Sequence, residues 1–148
     1  PANRGIPLII GQYGQLFKFI NQISVKKIKF LESIWPGPVT FIFETKNLFE
    51  FGENGIAIRL PEQRLCRNIA TYAGPFFATS ANKNGKPILD NIEEIHSQFK
   101  KEIKLFLDGG TISQNKASTI VSLKKDVPEL IRKGSFSFKK IIQMWEKI

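Results

Sequence analysis

Six polar residues fall where predicted strands begin or end: Arg59, Ser80, Asn82, Ser118, Thr119 and Arg132. An arginine at a strand end presents a planar fork of donors that matches a carboxylate or a phosphate. Hydroxyls and an amide on neighbouring turns can hold further oxygens of the same ligand. The set reads as a pocket that binds and positions an anion. It offers little acid–base or nucleophilic chemistry, so no catalytic residue in that sense is assigned. His96 is the only histidine and falls in a predicted surface helix, so no Ser/His/Asp constellation forms. Asp108, before Gly109-Gly110, is the one acidic strand-end candidate, and it suits a turn. No GxxxxGK[ST] loop occurs. Cys66 and His96 are single and far apart, which argues against a Cys/His zinc site. Each candidate also has a plainer reading. Arg59 could be a surface cation or pair with Glu62. Ser80 and Asn82 could cap local amides, Ser118 and Thr119 could cap a strand, and Arg132 with Gly134 could form an ordinary turn.

The elements that must position these residues follow from pattern. Pro75 to Gly85, PFFATSANKNG, opens on Phe76-Phe77, shrinks to Ala78, turns polar and ends in Asn84-Gly85. It predicts a buried strand that leaves the core and ends among small residues, where a ligand can approach backbone. Ile6 to Ile10 predicts a strand ended by Gly11, and Gln12 to Ile20 a helix. Ser24 caps a helix to about Trp35 with Val25, Ile28, Leu31 and Ile34 on one face. Pro36 and Pro38 stop it, and the Trp35–Pro38 turn reads as scaffold. Val39 to Glu44 is a strand, Lys46 to Asn54 a loop. Gly55 to Leu60 is a half-buried strand with Arg59 on its less apolar face. Gln63 to Ala73 is a helix with Leu65, Cys66, Ile69 and Ala70 inward. Asn91 caps a helix to about Lys100 with Ile92, Ile95 and Phe99 inward. Leu105 to Leu107 is a short strand. Ser118 to Leu123 and Glu129 to Arg132 are two more, and Phe138 to Ile148 is a terminal helix. Strands and helices alternate early and strands pair late. That predicts an α/β (α+β) single domain, one twisted mixed sheet flanked by helices. Phe41, Phe43, Phe76 and Phe77 lie inside apolar strands and read as core.

Composition narrows the class. The chain has 148 residues, 42% of them hydrophobic, which predicts a globular domain with a sizeable core. No apolar run reaches the roughly 20 residues of a membrane span, so no membrane partner is expected. A single cysteine fits a reducing, cytoplasmic setting. The start, PANRGIPLII, carries neither an initiator Met nor a signal-peptide layout and reads as the interior of a longer chain. The net charge of +9 favours anionic partners such as a nucleotide or RNA, although a lysine-rich solvated surface accounts for it equally.

Four motifs occur together and in order: WPGPVT (Trp35 to Thr40), AIRLP (Ala57 to Pro61), ATSAN with a following Gly85 (Ala78 to Asn82), and STIV followed by IRKG (Ser118 to Val121, Ile131 to Gly134). Together they resemble the YrdC-like, or TsaC, family of threonylcarbamoyl-AMP synthases (L-threonylcarbamoyladenylate synthases). The Asp108 to Gly110 DGG is also similar, whereas Lys133 stands where proline is common. The resemblance implies a YrdC-like fold with a deep basic cavity. It implies a nucleotidyltransferase that joins L-threonine, bicarbonate and ATP, with Mg²⁺ as the ATP complex, into threonylcarbamoyl-AMP and pyrophosphate. The product would feed threonylcarbamoyladenosine modification of tRNA through downstream transferase proteins, with contact to tRNA or double-stranded RNA as a further implication. By the same resemblance Arg59, Ala78 and Ser118 would face threonine. Arg4, Gly55, Ser80, Asn82 and Arg132 would face ATP, with Gly55 contacting through backbone where the family often has a hydroxyl residue.

The family carries a Lys-x-Arg pair just before a proline, and here that proline is Pro1. Residues 1–148 are therefore expected to form the YrdC-like domain without its N-terminal part, and to bind ATP weakly as they stand. Two other readings stay open. One is an RNA-binding module using the same basic cavity. The other is a carbamoyl-AMP-forming domain of a hydrogenase maturation protein.

Overall fold

The computed structural model describes residues 6–45, 55–83, 85–111 and 116–148. The predicted loop over 46–54, together with Arg4 and Asn84, lies outside them. The chain divides into two compact units, Pro1–Ala78 with Ala117–Ile148, and Thr79–Lys116.

The first unit is built on a six-stranded mixed sheet. Its strands are β1 (Leu8–Ile9), β2 (Val39–Phe43), β3 (Ile56–Arg59), β4 (Phe76–Phe77), β5 (Thr119–Ser122) and β6 (Glu129–Arg132), in the order β4-β1-β3-β2-β5-β6. β1 runs parallel to β3 and β2 parallel to β5, while the other three pairings are antiparallel. The expected α/β class and mixed sheet are thus present. Alternation along the central strands puts Val39, Phe41, Phe43, Ile56, Ile58 and Val121 on one face, where they are buried in the core. That face packs against α2 (Val25–Ile34) and α5 (Phe138–Glu146), with rings meeting edge to face. Phe30 lies 5.6 Å from Phe41 and 5.0 Å from Trp145, and Trp35 lies 5.3 Å from Phe41. Each such ring contributes about 1.5–3 kcal/mol through burial alone.

Local signals set the helix starts. Ser24 accepts from the Lys27 N–H at 3.3 Å and so caps α2. Gln63, not singled out as a cap, accepts from Cys66 N–H at 2.7 Å and starts α3 (Arg64–Tyr72).

Several expectations are corrected. The helix expected over 12–20 is one turn, α1 (Tyr13–Leu16), because Ile20 leaves it to bridge Thr45. Ile6 is exposed, and β1 covers only Leu8–Ile9. In α2 the buried residues are Phe30, Leu31 and Ile34, whereas Val25, in the first turn, is 68% exposed. In α3 only Ala70 is buried, and Leu65 points outward. Ala57 is buried although it alternates with the core residues, because β3 lies inside the sheet between β1 and β2 and a methyl group leaves little surface there. The Phe76-Phe77 strand is not a buried central strand. It is the sheet edge, with Phe76 half-buried and Phe77 46% exposed, so these two rings are not core as Phe41 and Phe43 are.

In the second unit, Asn91 accepts from Glu94 N–H at 2.9 Å and caps α4 (Ile92–Phe99). Ile92, Ile95 and Phe99 are half-buried on its inner face. The expected strand over Leu105 to Leu107 does not form, since among the described residues no ladder partner takes up its backbone, and Leu105 and Leu107 are exposed. The Asp108 carboxylate accepts from Gly110 N–H at 2.8 Å, the turn role its sequence suggests.

Candidate functional site

The second face of the sheet is built differently from the core face. Register places Phe41 opposite Ile58, hence Thr40 beside Arg59; Thr40 pairs with Ile120 and Ile120 with Arg132. Arg59, Thr40, Ile120 and Arg132 therefore form one cross-strand row. Strand spacing puts the two arginine backbones about 14 Å apart along it. Arg132 reaches this face through a bulge. β6 shifts register between Ile120 and Val121, so that Val121 pairs with Leu130 and Ile120 with Arg132. Without the bulge, with Ile131 paired in the ladder, alternation would turn Arg132 to the face of Leu130.

Ser118 sits one step before β5 and joins the row through side chains. Its hydroxyl lies 2.9 Å from the Thr40 hydroxyl. Arg132 Nη2 donates to the Ser118 carbonyl at 2.9 Å and to its hydroxyl at 3.2 Å. The backbone beneath is fixed by the chain after β6. Thr119 donates its hydroxyl proton to Phe136 O at 2.6 Å and accepts from Phe136 N–H at 3.0 Å, while Ser135 N–H donates to Ala117 O at 2.9 Å. Gly134 passes so close to Thr119 N, Ser118 C and Ala117 O that a methyl there would overlap all three.

The turn expected to be scaffold, Trp35–Pro38, joins the two ends of the site. Trp35 Nε1 donates to Val39 O at 2.7 Å, and Tyr13 Oη donates to Trp35 O at 3.1 Å. Gly37 N–H donates to Leu60 O at 3.0 Å, Arg59 Nε donates to Gly37 O at 3.1 Å, and Thr119 N–H donates to Pro38 O at 3.1 Å. One short turn thus holds Arg59 by its side chain and the start of β5 by its backbone. Arg59 pairs with this carbonyl and not with Glu62. Its Nε is committed, and among the described residues neither Nη group has a hydrogen-bond acceptor. Burial pulls the Arg59 guanidinium below its ordinary value, opposed by the nearby Cys66 sulfur. It remains a cation, since guanidinium does not lose its proton in proteins.

The remaining candidates fall as follows. Ala78 follows β4, its N–H donating to Pro7 O at 3.0 Å. Alternation puts it on the second face, two residues along from the Arg59 row, with Pro7 between it and small Ala57. Gly55 opens β3 at φ +98, and a side chain there would strike Phe43 O, which excludes the hydroxyl residue common at that place. Ser80 and Asn82 belong to the second unit. There Asn82 Nδ2 donates to Lys86 O at 2.8 Å and to Lys83 O at 3.2 Å, while Asn82 Oδ1 is buried with no hydrogen-bond partner among the described residues. Thr40 and the Gly37 carbonyl escaped sequence reasoning. Their signal was WPGPVT itself, which read as a turn.

Among the described residues no cluster of three His, Cys, Asp or Glu could hold a metal ion, and no helix is long and apolar enough to cross a membrane. Together the two faces give a helix-backed apolar side and a polar side carrying two fixed arginines and two linked hydroxyls.

A family model named Sua5_yciO_yrdC, described as "Telomere recombination", matches residues 1–134. The chain belongs to the Sua5/YciO/YrdC family. It is 31% identical to the threonylcarbamoyl-AMP synthase of Klebsiella pneumoniae over 127 residues, covering 81% of this chain and 66% of that protein. The Sua5/YciO/YrdC fold is equally clear. The structure of Pyrococcus abyssi Sua5 complexed with L-threonine superposes with a TM-score of 0.85 at 25% identity, over 97% of this chain and 44% of that one. Escherichia coli YciO, at 22% identity, shares the fold with a TM-score of 0.81 over 95% of this chain and 71% of that one. The chain spans about two thirds of the length of the Klebsiella protein and 43% of the Pyrococcus synthase.

Proposed function

We propose that this chain is the nucleotide-using domain of a threonylcarbamoyl-AMP synthase, a transferase serving tRNA modification. L-Threonine and bicarbonate give the N-carboxylated amino acid with loss of water. A carbamate oxygen then attacks the α-phosphorus of ATP, the bond to the bridging oxygen breaks, and pyrophosphate leaves. Such a step asks the protein to align two anions and neutralise charge, with no protein nucleophile. The residues of the second face suit that demand.

The observation that carries this reading is the row from Arg59 to Arg132. Arg59 is oriented by Gly37 O and directs its Nη pair at a carboxylate, a bidentate geometry worth more than a single contact. Ser118 and Arg132, linked to each other, stand across the row for the carbamate and phosphate oxygens. Small Ala57, two residues from Arg59 on the same strand and face, leaves room beside that end of the row. Ser80, Asn82, Arg4 and the backbone of Gly55 belong to the nucleotide side in this reading, and Mg²⁺ comes with ATP as substrate. The names of the Klebsiella and Pyrococcus relatives, and the threonine complex of Pyrococcus Sua5, support it.

The test is pyrophosphate release by the full-length protein with ATP, bicarbonate and single amino acids. Release that requires threonine, with threonylcarbamoyl-AMP found by mass spectrometry, is the expected result. Release without any amino acid, or none with threonine, removes the reading.

A further inference from the structure

Thr40 is 1% exposed, yet it carries a hydroxyl on the polar face of the sheet. Its one side-chain hydrogen bond among the described residues is the 2.9 Å bond with the Ser118 hydroxyl, in which either oxygen can be the donor. Ser118 Oγ also accepts from Arg132 Nη2 at 3.2 Å, and a guanidinium only donates. A serine hydroxyl has one proton and two lone pairs. If Ser118 gives its proton to Thr40, it has none for a ligand. If Thr40 gives its proton to Ser118, both Ser118 lone pairs are filled and its proton is left to point elsewhere. An anion at the site selects the second arrangement, because its oxygen accepts only and, among the described residues, the buried Thr40 proton has no other acceptor.

We propose that Thr40 is a positioning residue: its buried hydroxyl donates to Ser118 and so turns the Ser118 proton toward an oxygen of the bound carboxylate or carbamate. Arg132 and Thr40 together make Ser118 a one-way donor. This rests on the reading of the site given above, in which Ser118 faces the amino-acid end of the substrate. The strand supplies the precision, since Thr40 lies within β2, paired on both sides to β3 and β5.

The experiment compares full-length wild-type protein with Thr40→Val and Thr40→Ser. Valine keeps the branched shape and removes the hydroxyl, and serine keeps the hydroxyl. Calorimetric titration with L-threonine is expected to show binding weakened about tenfold in Thr40→Val, with most of the loss recovered in Thr40→Ser. ATP binding should weaken less. Equal threonine affinity in Thr40→Val and wild type, or no recovery with serine, overturns the proposal. A crystal structure of Thr40→Val gives a reading independent of threonine. There Ser118 Oγ is expected to leave its wild-type rotamer or lose its contact with Arg132, and an unchanged Ser118 overturns the proposal. Wild-type protein that binds no threonine defeats the functional reading and leaves the rotamer comparison to decide the role of Thr40.

Discussion

Arg132 holds Ser118 at two atoms with one nitrogen: Nη2 donates to the Ser118 carbonyl at 2.9 Å and to its hydroxyl at 3.2 Å. The guanidinium thereby fixes the start of β5 and biases the direction of a hydroxyl in the site. A residue with both duties should betray itself in a mutant by losses at both ends of the substrate.

Arg132→Ala is therefore expected to weaken ATP use by roughly tenfold or more, since charge-assisted hydrogen bonds contribute about 1.5–3 kcal/mol each. Threonine use should fall with it, by a smaller factor, as Ser118 loses its anchor. Steady-state titrations of both substrates in the full-length protein check this. An ATP requirement that does not change would take Arg132 out of the nucleotide side.

Arg59→Lys should behave differently. The positive charge is kept, so the long-range attraction for ATP changes little. The planar fork is lost, and with it the paired contact to a carboxylate and the hydrogen bond from Nε to Gly37 O. The threonine requirement should rise about tenfold, for a loss of about 1–2 kcal/mol, with ATP close to wild type. Equal losses for the two substrates would contradict the division of labour along the row.

What could be read from the amino-acid order, and what could not, divides by range. Ser24 and Asn91 announce their helices because a cap is a contact over three residues. The Asp108-Gly109-Gly110 turn is local in the same way. Arg132 shows the opposite case. In ELIR, alternation puts Leu130 and Arg132 on one face, and only the bulge against Ile120 and Val121 separates them. Nothing in the four residues predicts it. The Trp35–Pro38 turn was legible as a turn, but its task was not, since its partners Arg59 and Thr119 are distant in sequence. In α3 the apolar periodicity is real, yet only Ala70 is fully buried, Cys66 and Ile69 are half-buried and Leu65 is exposed. Periodicity names a face and not what packs on it. The four motifs point to the family as an ordered set, and three of them, around Gly37, Arg59 and Ser118, meet through long-range hydrogen bonds.

The Tyr13 phenol gives a pH signature. Burial pushes its pKa up from 10.0 to about 12, with the Glu32 carboxylate adding to the rise. The folded state then binds the proton more tightly than the unfolded state. Stability from this group is fully present below pH 10 and falls as pH rises from about 10 to about 12. Tyr13→Phe should flatten that part of the stability–pH curve. It should also lower stability at neutral pH by about 0.5–1.5 kcal/mol, because Trp35 O loses its donor. Denaturant melts at pH 7, 10 and 11.5 separate the two effects, at values chosen around the shifted phenol. A Tyr13→Phe curve that still declines across this range would assign the alkaline loss to other groups.

Gly134→Ala tests whether the loop after β6 sets the position of Ser118. A methyl at Gly134 would overlap Thr119 N, Ser118 C and Ala117 O, all of them backbone atoms that cannot rotate away. The two segments must part by a fraction of an ångström or more. The hydrogen bonds at stake are Ser135 N–H to Ala117 O at 2.9 Å and the Thr119–Phe136 pair at 2.6 and 3.0 Å. Overpacking of this kind costs about 1–3 kcal/mol. For a chain of this length that lowers Tm by about 2–4 °C per kcal/mol. The functional consequence should exceed the loss of folded protein. Ser118 would be displaced from Thr40 and Arg132, and threonine use should fall at temperatures where the variant is still fully folded. Thermal melts followed by threonine titration well below the transition provide the check. A variant that melts early yet uses threonine as wild type does would show that the clamp serves stability alone. A variant with unchanged Tm and unchanged kinetics would mean that the close approach at Gly134 is relieved without cost.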